Sequence, residues 1–150
     1  MYIKNSIIFL LFVPFLSFSQ IKIPDTADWK PKIEKAMELI KEADPNKYSI
    51  LLENCDNIEF LIGDHSTTKP PKTIVINTKD MDLNSINNIA SVLVHESYHL
   101  YLYSRCEKLD ENAEELICYK YEYDFLCRLK SVEGWLFKNV IDMIIFYNKQ

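Results

Sequence analysis

Glycine is nearly missing from this chain: there are two in 150 residues, Gly63 and Gly134, beside six prolines. That scarcity excludes long flexible linkers and low-complexity tracts, and no internal repeat is found. An excess of positive charge is missing too. Lysine and arginine number 17 against 22 acidic residues, a net charge of -5, so no broad basic surface awaits nucleic acid or anionic lipid. A bilayer-spanning apolar run is also lacking. Ile7 to Phe18 is almost wholly apolar, but it falls short of the roughly 20 residues a span needs, and Pro14 interrupts it. With Lys4 before it and Ser17 and Ser19 closing it, the segment has the layout of a secretory signal peptide. Residues 1–19 are expected to be removed between Ser19 and Gln20, leaving 20–150 as a secreted or periplasmic domain. The residue directly after the cut is Gln20 rather than cysteine, so no lipid anchor is indicated.

What is present is ordinary for one globular domain: 48% hydrophobic and 26% charged residues in a length that supports a single core. Four cysteines follow the leader, Cys55, Cys106, Cys118 and Cys127. Cys118 and Cys127 fall on opposite faces of one expected helix and should not pair with each other. Cys106–Cys127 with Cys55–Cys118, Cys106–Cys118 with Cys55–Cys127, and four free thiols all remain open.

The apolar pattern predicts an α+β chain. Ile33, Met37 and Ile40 recur at helical spacing after Asp28 as N-cap and Pro31 in the first turn, and this helix should stop before Asp44-Pro45. Tyr48 to Leu52 reads as a second, short helix. Ile58 to Ile62 and Thr73 to Ile76 read as strands, separated by loop chemistry from Gly63 to Lys72. A long helix is expected from Leu83 to Tyr103 with Asp82 or Asn84 as cap. Ser104 to Asp110 is a polar connection. Glu111 to Lys130 is the next helix, and Trp135 to Tyr147 is an apolar one expected to pack into the core.

His95-Glu96-Ser97-Tyr98-His99 lies within the long helix. Residues four apart point from one helix face, so both imidazoles can reach one Zn²⁺ at roughly 2.0–2.1 Å. Glu96 flanks the pair, where its carboxylate can take a proton from a water on the metal. Two of the chain's three histidines fall in this pattern, and apolar Val92, Leu93, Val94, Leu100 and Leu102 surround it. A buried histidine pair requires partners.

A catalytic zinc needs a third protein ligand and an open position. Leu102 and Arg105 stand where a metzincin would carry glycine and a third histidine, so that class is excluded. Among Asp110, Glu111, Glu114 and Glu115, helix geometry favours Glu115. Cys118, Tyr119, Glu122, Phe125, Leu126 and Leu129 fall within about 80° of it. Glu114 lies about 100° away on the flank. Glu111 faces inward at the first turn, where a carboxylate also suits the helix dipole.

HESYH followed by Glu115 on a second helix resembles the gluzincin zinc metallopeptidases in their compact single-domain bacterial form. Such proteins often carry a second motif of the type Glu-x-x-Ala-Tyr; here it reads Glu115-Leu116-Ile117-Cys118-Tyr119, with Cys118 in the alanine's place. The resemblance covers Ile58 to Leu129. It implies a zincin-like minimal domain, a small sheet or hairpin packed on the HExxH helix and on a helix carrying the third ligand. It further implies one Zn²⁺ held by His95, His99 and Glu115, Glu96 as general base and acid, and a peptide bond as substrate. By the same analogy, strand Thr73 to Asn77 would hold an extended peptide by edge pairing.

Weaker signals surround these. Tyr119 is the tyrosine to consider for stabilising an oxyanion. His65 could polarise a substrate carbonyl or simply be exposed. Glu122 either orients a histidine or reaches solvent. The expected function is that of an exported zinc-dependent peptidase acting on a peptide or protein, without nucleic acid or membrane partners. A monomer is expected, although nothing in the sequence fixes the oligomeric state. The alternatives are a non-catalytic zinc-binding interaction module, and an effector that cleaves one specific protein.

Overall fold

The computed structural model describes residues 21–25, 28–63, 65–79 and 84–150, so the expected signal peptide and the Asp82 cap lie outside the described residues. Helix α1, Lys30–Ala43, buries Ile33, Ala36 and Ile40 along one stripe. Its N-cap is Trp29, without a side-chain cap bond, rather than Asp28; Pro31 fixes the first turn instead. Asp44 both ends α1 and caps α2, Pro45–Asn54, its carboxylate accepting from the amides of Asn46 and Lys47 at 3.1 Å.

Three strands follow: β1, Asn57–Leu61; β2, Thr67–Lys69; and β3, Thr73–Asn77. The strand order is β1-β3-β2, with β1 parallel and β2 antiparallel to β3. Two expectations are corrected here. The stretch from Gly63 to Lys72 is not all loop, because Thr67-Thr68-Lys69 pairs with Thr73–Val75. Strand β3 is central, so its backbone is already paired on both sides and cannot take a peptide by edge pairing. The outer side of β1 carries a bridge from Lys22, whereas β2 has no further strand beside it among the described residues.

Helix α3, Ile86–Ser104, is the axis of the domain and packs against α1, α2, the sheet and α4. Its buried Ile89, Ala90, Leu93, Val94 and Leu100 join Ile74 and Ile76 of β3 and the α1 stripe in one core. Ser85 caps it, accepting from the amide of Asn88 at 3.0 Å, one residue beyond the expected Asn84. The same hydroxyl donates to Glu133 at 2.6 Å, and Asn87 donates to the other oxygen of Glu133 at 2.8 Å. These bonds pin the start of α3 to the start of α5, Gly134–Tyr147.

Helix α4, Glu111–Leu126, is capped by Asp110, which accepts from the amide of Ala113 at 3.0 Å. It stops four residues short of Lys130 because the chain tightens there, with Arg128 bonding back to Phe125. Its buried residues are Cys118, Glu122, Phe125 and Leu126, the stripe that contains Glu115. An ion pair between a buried lysine and a half-exposed aspartate ties α2 to α4: Lys47 reaches Asp124 at 3.1 Å and lies 3.4 Å over the Tyr121 ring. Helix α5 is less buried than its composition predicts. Only Leu136 and Val140 are fully enclosed, while Trp135, Ile141, Ile145 and Phe146 face outward. All four cysteines are free, Cys55 and Cys118 buried and Cys106 and Cys127 exposed.

Candidate metal centre

His95 and His99, one turn apart on α3, face Glu115 on α4, and the three can hold a metal ion. The Nε2 atoms of the histidines lie 3.2 Å apart. Glu115 Oε2 is 3.4 Å from His95 Nε2, and its Oε1 is 3.5 Å from His99 Nε2. Tetrahedral ligands at zinc distances are separated by about 3.3 Å along each edge. The three donors thus form a triangle of the size that one face of a zinc tetrahedron requires.

The orientation of the imidazoles supplies a second fit. His95 donates from Nδ1 to Glu122 Oε2 at 3.0 Å, and His99 donates from Nδ1 to Glu114 Oε1 at 2.6 Å. With the Nδ1 positions committed to carboxylates, neutral rings turn both Nε2 lone pairs toward one point. Two lone pairs at that separation repel unless a proton or a metal cation sits between them. Glu122 in turn accepts from the fully buried Ser91 hydroxyl, one turn before His95.

The electrostatics follow from five carboxylates in a small volume. Without a metal, burial pushes the His95 pKa down, but Glu115 and Glu122 outweigh it and raise the value to about 10. Burial works against the ionised Glu115 as well, and its hydrogen bond to His95 and the charges of both histidines overcome that and keep its pKa low. Glu96 differs. It is 6% exposed and has no hydrogen-bond or ion-pair partner among the described residues. Burial first, then the charges of Glu115 and Glu122, raise its pKa to about 7, with His95 pulling the other way.

The centre opens on a cleft of about 840 Å³. The metal triad, Glu96 and Tyr119 line it from α3 and α4, Asn139 and Met143 from α5, and His65, Ser66, Thr67 and Thr68 from the sheet side. Tyr119 packs its ring 4.4 Å from that of His95, centroid to centroid, and stacks on Tyr147. Burial, then Glu122 and Glu115, hold its phenol well above the ordinary tyrosine pKa, so it remains a protonated donor. His65 is exposed on the opposite wall and is not among the three grouped donors.

Sequence reasoning missed Glu114 and Ser91. Glu114 projects from the flank of α4, yet its side chain is long enough to reach across to His99. Ser91 carried a usable signal, being one turn before His95 on the buried face of the same helix. Of the two roles weighed for Glu122, the structure places it on a histidine rather than in solvent.

Comparison with known protein families, with characterised proteins and with solved structures finds no match to this chain. The gluzincin resemblance therefore rests on the motif residues alone.

Proposed function

We propose that this protein is a zinc-dependent peptidase of gluzincin type, with a zincin-like domain and peptide bonds as substrate. The observation that carries the reading is Glu96: a buried carboxylate without a hydrogen-bond or ion-pair partner among the described residues, next to the proposed histidine ligand at position 95, on the wall of an open cleft. Burying such a group unpaired is costly, and its pKa of about 7 suits a group that both accepts and returns a proton. His95, His99 and Glu115 would hold the ion. Bound there, zinc supplies Lewis acidity that activates water and polarises a carbonyl.

The chain's own residues do the rest. Glu96 takes a proton as water oxygen adds to the carbonyl carbon, then returns it to the amide nitrogen as the C–N bond breaks. Glu122 and Glu114 hold the two imidazoles in the tautomer that presents Nε2. Tyr119, kept protonated beside His95, would donate to a developing oxyanion. An extended peptide would pair with the side of β2 that has no further strand among the described residues, where Thr67 and Thr68 line the cleft. Three ligands beside an open cleft support this reading over a closed, purely structural zinc site.

The test is Glu96→Gln. The variant should bind zinc in the wild-type ratio and fold normally, while cleavage of a peptide library disappears. Full cleavage by the zinc-loaded variant would show that Glu96 is not the base.

A further inference from the structure

The cleft holds five carboxylates, Glu96, Glu111, Glu114, Glu115 and Glu122, and among the described residues no lysine or arginine lines it. Four of the five have work at the metal centre: Glu115 as ligand, Glu114 and Glu122 on the histidines, Glu96 as the proton carrier. Glu111 has none. It is exposed at the rim, without a hydrogen bond or ion pair among the described residues, and its charge acts on the Tyr147 phenol opposite. On α4 the cleft-lining residues Glu111, Glu115 and Tyr119 follow at steps of four, one above the other. Glu111 is thus one turn, about 6 Å, from the metal ligand. That is the length of an extended lysine side chain. Even with a divalent ion bound, the five carboxylates leave the cleft negative, and apolar Leu109, Leu136 and Met143 in its wall concentrate that field.

Resting on the peptidase reading above, we propose that the cleft selects cationic peptides, with Glu111 pairing the positive group of a residue next to the scissile bond. The shared chemistry is an ammonium or guanidinium. Its source is either a lysine or arginine side chain or the substrate's own N-terminal amine. Glu111 also suits the helix dipole at the first turn of α4. That structural use would change stability on substitution and leave charge preference alone.

The probes are alanine-rich octapeptides carrying one central lysine, glutamine or glutamate, each free or N-acetylated. Their dissociation constants are measured on the zinc-loaded full chain bearing Glu96→Gln, which reads binding without turnover. The lysine peptide should bind about fivefold more tightly than the glutamine peptide, and the glutamate peptide more weakly still. The difference should shrink as salt is raised. Adding Glu111→Lys should reverse the order. A lysine preference that survives acetylation assigns the cation to the side chain, and a gain confined to free peptides assigns it to the terminal amine. Equal binding of all peptides, no binding, or an order unchanged by Glu111→Lys overturns the inference. Charge preference without cleavage by the wild type would instead overturn the peptidase reading and leave the cation site standing.

Discussion

The Nδ1 of His95 and the Oε2 of Glu122 lie 3.0 Å apart, and the second oxygen of that carboxylate takes the Ser91 hydroxyl. Glu122 is 5% exposed, so both of its bonds are shielded from water and its orientation is fixed from two sides. It should set the tautomer and basicity of His95. Glu122→Gln is expected to weaken zinc binding by about 10- to 100-fold. Ser91→Ala should have a smaller effect in the same direction. Competition against a chromophoric chelator measures both. Wild-type affinity in Glu122→Gln would reduce the glutamate to a packing role.

Glu114 stands in the same relation to His99, but its side chain is one-third exposed. Water can replace part of what a substitution there removes. Glu114→Gln is therefore expected to weaken zinc binding by less than Glu122→Gln, about tenfold or under. The reverse order would mean that burial does not rank the two carboxylates.

Lys47 is the second place where charge is buried. Its ammonium is held between Asp124 and Asp44, the latter 3.9 Å away, and Arg128 reaches the same two carboxylates, Asp44 at 3.2 Å and Asp124 at 3.1 Å. Burial lowers its pKa, opposed by Asp124 and Asp44. Removing the lysine leaves Asp44, 2% exposed, with Arg128 as its only charged partner beside the Asn46 and Lys47 amides it caps. Lys47→Ala should destabilise the fold by about 3 kcal/mol, the lower end for a broken buried pair, because Asp124 is half exposed. Urea unfolding of the two proteins tests it, and a change under half a kcal/mol would show the pair to be solvated, as surface pairs are.

Much of the centre was legible because helix periodicity is a strong signal. The i, i+4 spacing of His95 and His99 and the angular place of Glu115 on α4 are both local properties of sequence. Features set by neighbouring elements were not legible. Glu114 stands on the flank of α4 by its Cβ direction, and only the reach of its long side chain brings it to His99. Strand β2 is three residues long and polar, so it carries no apolar alternation, and only pairing with β3 makes it a strand. The central place of β3 is likewise a fact of topology. Helix α5 shows the limit of composition: Trp135, Ile145 and Phe146 read as core residues, but only one strip of the helix meets α4.

The cysteines divide into two pairs by access. Burial raises the Cys55 pKa to about 11 and raises that of Cys118 as well, where Glu115 and Glu114 add to the effect. Cys106 and Cys127 are exposed. Alkylation of the native protein at mildly alkaline pH should modify Cys106 and Cys127 at least about a hundredfold faster than Cys55 and Cys118. Peptide mapping by mass spectrometry reads the sites. Rapid native modification of Cys118 would place it at the surface of the cleft rather than beneath it.

A metal held by His95, His99 and Glu115 would join α3 to α4 and offset the charge of Glu115 and its neighbouring carboxylates, so its removal should loosen the domain. A ligand held at a thousand times its Kd stabilises a fold by about 4 kcal/mol. In a chain of this size that corresponds to about 10 °C in Tm. Zinc-loaded protein treated with a chelator should lose about that much in a thermal melt. Zinc should restore it, while magnesium, which demands oxygen ligands, should not. An unchanged Tm in protein shown to hold one zinc per chain and then shown to lose it would mean the two helices are held by apolar packing alone. The ion would then contribute chemistry without contributing stability.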